Sequence, residues 1–546
     1  MASSLAIAVL LGAPVLATNA RTPTPQMGWN TYNTYSCTPN EDIVKENAQA
    51  LVDTGLADLG YLYVTPDCGW NMPGRDSDGR QQWNNETFPS GGKALGEYIH
   101  SLGLKFGMYS GGGYYQCGSS DQPASLGYEE IDAAAYDEWG ADSLKYDNCY
   151  CTSPYVMAEY DDPISGSPER FRTMAAALDT VDRDILYQIC QWGVGTDIGE
   201  WAPELGTSWR ISNDIYDAWR SIWRIANQAA PYAALDQTGI GRHADMDMLV
   251  VGLGALSHEE EKFHFGMWSI LKSPLIIGCA IVELPDTSFD ILSNEDVIAL
   301  NQDSLGDSAK LIRRDTENEW DVWAGDLSGR RKVVGVANWR DGSQTISLDL
   351  SDIGVSSAMA RDVWAAEDIG RLSGTTDVEL AGHELKLYVL SNIMTAGDYL
   401  DSTGYYAAAN ASLAGGAVVT SCGSGECLPV GSKLSYLGGS DDGTATFSSL
   451  KFTSSGTKTI GFDFINYDVA LATAWDWGSN SRNVTLAVNG GTATRWALPL
   501  SGGDWYQTGR MELVVEGFVA GDNNTVVVAG HGDYYAVDLV GIETFE

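Results

Sequence analysis

Over residues 24–303 short apolar runs alternate with stretches of helical periodicity, and this alternation restricts the fold more than any other feature. Apolar runs at 62–66, 105–109, 143–147, 185–190, 208–214, 246–251 and 275–279 each have the length of one buried strand, and 28–32 brings the count to eight. Between them, 41–59 sets Ile43, Val44, Ala48, Leu51, Val52 and Leu59 on an approximately helical stripe. Segment 129–139 opens with acidic residues, which suit a helix N-terminus. Eight strand–helix units predict an α/β fold, a (β/α)8 barrel, over 21–305. An open doubly wound sheet is the alternative. It usually carries a glycine-rich phosphate turn after its first strand, and none follows here.

A barrel presents functional side chains at the C-terminal ends of its strands. Asp67, Tyr109, Lys145 with Asp147, Gln191 with Trp192, Arg210 with Asp214, and Asp247 each end or follow an apolar run, so a concave polar pocket is expected. After Asp303 the period changes to two, as in 321–324, 332–336, 345–350 and 384–390, predicting an antiparallel β-sandwich over 306–392. From 393 to 546 the chain is rich in Gly, Ser and Thr with further short strands, and a second β-sandwich is expected there.

Charge narrows the partners. With 73 acidic against 32 basic residues the net charge is −41, which repels nucleic acid and acidic bilayers. Residues 1–20 form a short apolar run followed by small residues, too short to span a bilayer, and predict a secretory signal. Of nine cysteines, Cys37, Cys68, Cys117, Cys149, Cys422 and Cys427 lie in polar surroundings suited to disulfides. Cys190 and Cys279 end apolar runs and read as buried thiols; Cys151 is unassigned. No Cys-x-x-Cys pair occurs and the six histidines are scattered, so neither a metal nor a cofactor is expected. Sequons at Asn85, Asn410, Asn483 and Asn523 suit a glycosylated, extracellular protein. Oligomeric state is not readable.

Two pairs carry the chemistry. Lys145 and Asp147, two apart on one strand, face the same side, and the ammonium favours the ionised carboxylate. Arg210 and Asp214 stand four apart at another strand end. Two carboxylates from separate strands, roughly 5–5.5 Å apart, are what double displacement at an acetal requires. A buried salt bridge for the first pair and a helix N-cap for Asp214 are the plain structural alternatives.

Ten stretches, in order, sharpen this. They are Pro25-Gln-Met-Gly-Trp-Asn30, Asp67-Cys68, 105–109, Leu144-Lys-Tyr-Asp-Asn-Cys149, Cys190-Gln-Trp-Gly193, Ser208-Trp-Arg with Asp214, Asp247-Met-Leu-Val250, His264-Phe with Trp268, Ser273-Pro-Leu-Ile-Ile-Gly278 and Asn301-Gln-Asp303. Residues 25–303 thereby resemble the α-galactosidases of glycoside hydrolase family 27, clan D. The resemblance implies a barrel followed by an antiparallel β domain, and a retaining mechanism. Carried over by position, Asp147 falls on the nucleophile and Asp214 on the acid/base. Trp29, Asp67, Tyr109, Lys145, Gln191, Trp192, Arg210 and Asp247 fall on the sugar-binding set. In that set Trp29 offers a ring face, Asp67 accepts from O4, Lys145 donates to O3 and Arg210 holds O2. The resemblance also implies disulfides Cys37–Cys68 and Cys117–Cys149.

Departures from the family pattern bear on substrate. Two adjacent aspartates are usual where this chain reads Pro66-Asp67, and the missing one helps bind O6. Proline offers no acceptor, so β-L-arabinopyranose, the same ring without C6, becomes an alternative to α-D-galactose; a shifted loop supplying O6 contacts is the opposing expectation. Gln191-Trp192 leaves little room for a 2-acetamido group. His243 and Asp245, in a segment that departs from the family's Trp-Asn-Asp-Pro-Asp, are unassigned. The expected partner is a galactose- or arabinopyranose-terminated oligo- or polysaccharide, and a non-catalytic sugar-binding barrel is the remote alternative. Residues 393–546 resemble family 35 carbohydrate-binding modules through Gly431-Ser-Lys with Tyr436-Leu-Gly, Val488-Asn-Gly490 and 537–542; Trp475, Trp477 and Trp505 are candidate stacking faces, with core packing the plainer role.

Overall fold

The computed structural model describes residues 22–157, 166–193, 198–395, 402–467, 481–532 and 534–545. The expected signal at 1–20, and Trp475 and Trp477, lie outside the described residues. Eight parallel strands make the first sheet: β1 (Met27–Asn30), β2 (Tyr63–Thr65), β3 (Lys105–Gly111), β4 (Ser143–Asp147), β5 (Leu186–Cys190), β6 (Ser208–Arg210), β7 (His243–Asp245) and β8 (Leu275–Ile277). They pair in chain order from β1 to β7, with β8 on the far side of β1. A parallel bridge between Leu249 and Ile277 joins the two ends and closes the barrel. Seven strands fall where the apolar runs predict. The seventh does not: it is His243–Asp245, and 246–251, apart from the Leu249 bridge, is apolar because it is buried.

The helix expected over 41–59 runs Glu41–Asp53, with a 3-10 turn at Ala57–Leu59, and Asn40 caps it by accepting from the Ile43 amide at 2.8 Å. Glu129–Trp139 is helical as expected. Close strand packing needs glycine at Gly28, where a Cβ would lie 2.2 Å from the Tyr63 carbonyl oxygen.

Beyond the barrel, a six-stranded antiparallel sheet built on Trp320–Leu327, Arg331–Asn338 and Leu385–Thr395 faces a two-stranded sheet of Gln344–Asp349 and Thr375–Leu380. Val322, Val336, Ile346, Leu348 and Val378 fill the space between them. The strand Leu385–Thr395 runs past 393, the expected start of the last segment. From 402 onward a six-stranded and a five-stranded antiparallel sheet sandwich Phe447, Phe462, Leu486 and Leu513. Trp505 is half-buried; Lys433 and Arg482 lie 5.6 and 5.1 Å from its ring centroid and Tyr467 meets it edge-on, so its faces are engaged within the protein.

All three cores meet at Arg314. Its guanidinium makes a bidentate pair with Asp321 at 2.7 and 2.6 Å, donates to Asn227 of the barrel helix Trp219–Ala234 at 2.9 Å, and reaches the Ala497 carbonyl of the last sandwich at 3.4 Å. Asp321 also accepts from the Trp339 indole at 2.8 Å. Both charges are fully enclosed, so each depends on the other for the water it has lost. Asp321→Ala is expected to destabilise the protein by about 3–5 kcal/mol by leaving Arg314 buried without its carboxylate. Calorimetric unfolding checks this; a shift under about 1 kcal/mol would show the pair to be dispensable.

Candidate active site

Alternation along each strand decides which side chains enter the barrel. Asn30, Thr65, Lys145, Gln188 and Asp245 point inward and line a cavity of about 30 Å³ together with Arg210 and Asp247. That is room for about two waters. Above it, at the C-terminal ends of the strands, two charge clusters form.

The first centres on Asp67. Its Oδ2 accepts from Lys145 Nζ and from Asn30 Nδ2, both at 2.8 Å, and its Oδ1 from the Cys68 amide at 3.0 Å. Lys145, although burial opposes its charge, is held well above the usual lysine range by Asp67 and, more weakly, Asp147. Asp147, 7% exposed, accepts from the Tyr109 hydroxyl at 2.9 Å and from the Asn148 amide at 2.9 Å. Burial raises its pKa, Lys145 pulls it down, and the charges of Asp214 and Asp67 raise it again, with a net upward shift. The second cluster centres on Asp247, whose Oδ2 accepts from Arg210 at 2.7 Å and from the Ile215 amide at 2.7 Å. The same guanidinium donates to Asp214 Oδ1 at 3.1 Å. Asp214 is open where Asp147 is closed: its side chain is 48% exposed.

The disulfide Cys117–Cys149 lies beside Asp147, and Cys37–Cys68 ties the first loop to the end of β2; both pairings implied by the resemblance are present, as is Cys422–Cys427. Cys190 and Cys279 are buried thiols, as expected, and Cys151 is buried too. Gly113 passes so close to the Cys149 carbonyl that a Cβ there would lie 1.8 Å from it. Trp192 packs on Cys149, Tyr150 and Cys190. It and Asp247 hold left-handed backbones, φ 77° and 79°, a conformation non-glycine residues adopt at a cost and keep where neighbours over-determine it.

Asp67, Tyr109, Lys145, Asp147, Arg210, Asp214 and Asp247 thus form one linked constellation. Gln191 is buried nearby with its amide turned to Ser167 (3.3 Å) and Gly193 (3.1 Å). Trp29 is a correction. Asn30 faces the barrel interior, so Trp29, one residue earlier, faces outward; it is 1% exposed and its indole donates to the Cys279 carbonyl at 2.8 Å. A second aromatic at the cluster, beside Tyr109, is Tyr32, which sequence reasoning missed. Its ring lies 5.6 Å from Lys145 Nζ, and its pKa rises to about 12 through burial and then the charges of Asp214, Asp67 and Asp147. Its position after a strand end was the available signal. Asp245, unassigned from sequence, accepts from the Asp247 amide at 2.8 Å, and burial lifts its pKa to about 6.

A parallel barrel whose C-terminal mouth gathers an enclosed and a half-open carboxylate, braced by a lysine and an arginine, has the parts that glycoside hydrolysis uses. The comparisons agree. A family profile described as alpha galactosidase A matches residues 24–303, and one described as alpha galactosidase C-terminal beta sandwich domain matches 317–390. The probable alpha-galactosidase D of Aspergillus fumigatus is 39% identical over 97% of this chain and 96% of its own length. Alpha-galactosidase I from Mortierella vinacea superposes with a TM-score of 0.66 at 34% identity, covering 70% of this chain and 100% of that one. The Saccharomyces cerevisiae α-galactosidase solved with raffinose gives 0.62 at 29% identity, over 67% and 97%. The chain belongs to the α-galactosidase family, glycoside hydrolase family 27, and is a glycosidase of α-galactosides.

Because Lys145 favours the ionised form of Asp147, Lys145→Met should raise that carboxyl's pKa further. Where Asp147 is the group that must be ionised for turnover, the acid limb of kcat/KM against pH moves to higher pH. A limb that stays in place would separate Asp147 from the group that sets it.

Proposed function

We propose that this enzyme is a secreted, retaining exo-glycosidase that removes terminal α-D-galactosyl groups by double displacement. The observation that carries the reading is the contrast between two acids on separate strands: Asp147 enclosed beside Lys145 and Tyr109, Asp214 half open on Arg210, with Asp214 near enough to raise Asp147's pKa. In the first step a carboxylate oxygen of Asp147 bonds to C1 while the C1–leaving-oxygen bond breaks, and Asp214 passes its proton to that oxygen. In the second, Asp214 takes a proton from water, the water oxygen bonds to C1 and the Asp147 ester bond breaks. Asp67, Lys145, Arg210, Asp247 and Tyr32 surround the space for the ring hydroxyls and offer acceptors, donors and an aromatic face. Raffinose, named with the yeast relative, is an α-galactoside and sets the first substrate to test.

Two features refine the reading. Trp192, in one buried cluster with Cys149, Tyr150 and Cys190, stands where the family resemblance leaves little room for a 2-acetamido group, which disfavours N-acetylgalactosaminides. Pro66 provides no acceptor for O6 and favours tolerance of β-L-arabinopyranosides; a hydroxyl contact is worth about 1–3 kcal/mol, enough to reorder two similar sugars. Secretion is supported by the three disulfides and by exposed sequon asparagines at Asn85, Asn410 and Asn523. Asn483 is half-buried, its side-chain oxygen enclosed, and is the poorest acceptor of the four. No helix among the described residues is long and apolar enough to cross a membrane.

Asp147→Asn is expected to lower turnover of p-nitrophenyl α-D-galactoside by at least about 10⁴-fold with unfolding unchanged; near-wild-type turnover would end the assignment. In the wild type, kcat/KM for the galactoside and for p-nitrophenyl β-L-arabinopyranoside should fall within about tenfold of each other. A galactoside preference above about 10³ would mean that another group replaces the missing aspartate.

A further inference from the structure

Asp214 sits in an irregular segment, 211–218, between β6 and the helix Trp219–Ala234, so no sheet or helix hydrogen bond fixes its backbone. A general acid must meet the leaving oxygen within a few tenths of an ångström, and a loop residue achieves that only if other groups hold it. Three of the groups that reach this loop act at Asp214 and the residues on either side of it. Arg210 takes the Asp214 carboxylate, and Asp247 takes the Ile215 amide at 2.7 Å. The third is Arg224, on the helix that follows. One terminal nitrogen of its guanidinium donates to the carbonyls of Asn213 (3.3 Å) and Asp214 (3.1 Å), while the other donates to Gln228 Oε1 at 3.4 Å.

Arg224 is 1% exposed, an unusual place for a charge. Burial and then the nearby Arg210 lower its pKa to about 10, so two guanidinium groups crowd one loop against their mutual repulsion. Such an arrangement needs compensation, and the carbonyls on either side of the Asp214 peptide supply part of it.

From this, and resting on the reading of Asp214 as acid/base, we infer that Arg224 is a positioning residue for proton transfer. By fixing the carbonyls of residues 213 and 214 it sets the direction in which the Asp214 side chain leaves the backbone. It touches no substrate and acts only through Asp214.

Leaving-group dependence tests this, because an aryloxide of low pKa departs without a proton and a poor one does not. For full-length Arg224→Lys and Arg224→Met, kcat/KM on phenyl α-D-galactoside should fall about 100-fold while kcat/KM on 2,4-dinitrophenyl α-D-galactoside changes less than about threefold. Azide, which attacks the glycosyl-enzyme without base assistance, should raise kcat of the variants on the dinitrophenyl substrate and yield galactosyl azide. The lysine variant, which keeps one donor, should retain more activity than the methionine variant on the phenyl substrate. Equal losses on both substrates, or no loss on either, would overturn the inference. Asp214→Ala is the reference: if it lacks the same selectivity, the acid/base reading fails and this one with it; if it shows it and the Arg224 variants do not, only this one fails.

Discussion

The mouth of this barrel is organised by two buried cation–carboxylate pairs, Lys145–Asp67 and Arg210–Asp247, and the remaining polar geometry follows from them. Neither carboxylate is left with a lone oxygen: Asp67 also holds Asn30 and the Cys68 amide, and Asp247 also holds the amides of Ile215 and Met248. Charges taken out of water at this depth persist only with such additional hydrogen bonds. Each pair then lends its cation to a second acid. Lys145 acts electrostatically on Asp147, and Arg210 bonds Asp214 directly. The two acids are therefore governed by different cations in different surroundings, one enclosed and one half open.

Much of this was legible in the sequence because strand ends in a parallel barrel are where polar residues can follow apolar runs. Asp67, Lys145, Asp147, Arg210, Asp214 and Asp247 were found that way, and the structure brings them together. What was not legible turned on parity and on burial without pairing. Trp29 stands on the first strand, but a one-residue offset from Asn30 sends it outward to the helices, while Tyr32, beyond the strand, turns to the cluster. The seventh strand was misplaced because His243 and Asp245 look polar for a barrel strand. His243 is fully buried, its ring reaching the Thr22 carbonyl at 3.4 Å, and Asp245 faces the interior cavity, so both are accommodated by partners that no local pattern reveals. Arg224 was hidden for the same reason: nothing in its helical neighbourhood predicts that it reaches back to the loop before it.

The β domains bear on the site through the helix Trp219–Ala234. One side of that helix meets the Asp214 loop through Arg224; another meets the second and third cores through Asn227, Arg314 and Trp339, whose ring lies 4.7 Å from that of Trp223. His383, from the same β domain, stacks on Trp219 at 4.2 Å and pairs with Glu260 of the barrel helix His258–Ile270 at 2.7 Å. The first residue of the helix that carries Arg224 is thus clamped by the neighbouring domain. Close-packed interiors transmit displacement rather than absorb it, so a helix held from outside the barrel makes a firmer anchor for Asp214 than one resting on the barrel alone.

The Pro66 substitution can be weighed on the same footing. Proline puts no carboxylate into a mouth that already holds Asp67, Asp147, Asp214 and Asp247 against two close cations, Lys145 and Arg210. A further aspartate beside Asp67 would add a like charge near Asp147, whose pKa is already raised by burial and by its acidic neighbours. Proline at this position adds no such charge, and on the proposed reading it also offers no acceptor to O6. On that reading an aspartate introduced at position 66 would change two things at once, the acceptors offered to the sugar and the negative charge around Asp147, so the two effects need not be separable in such a variant.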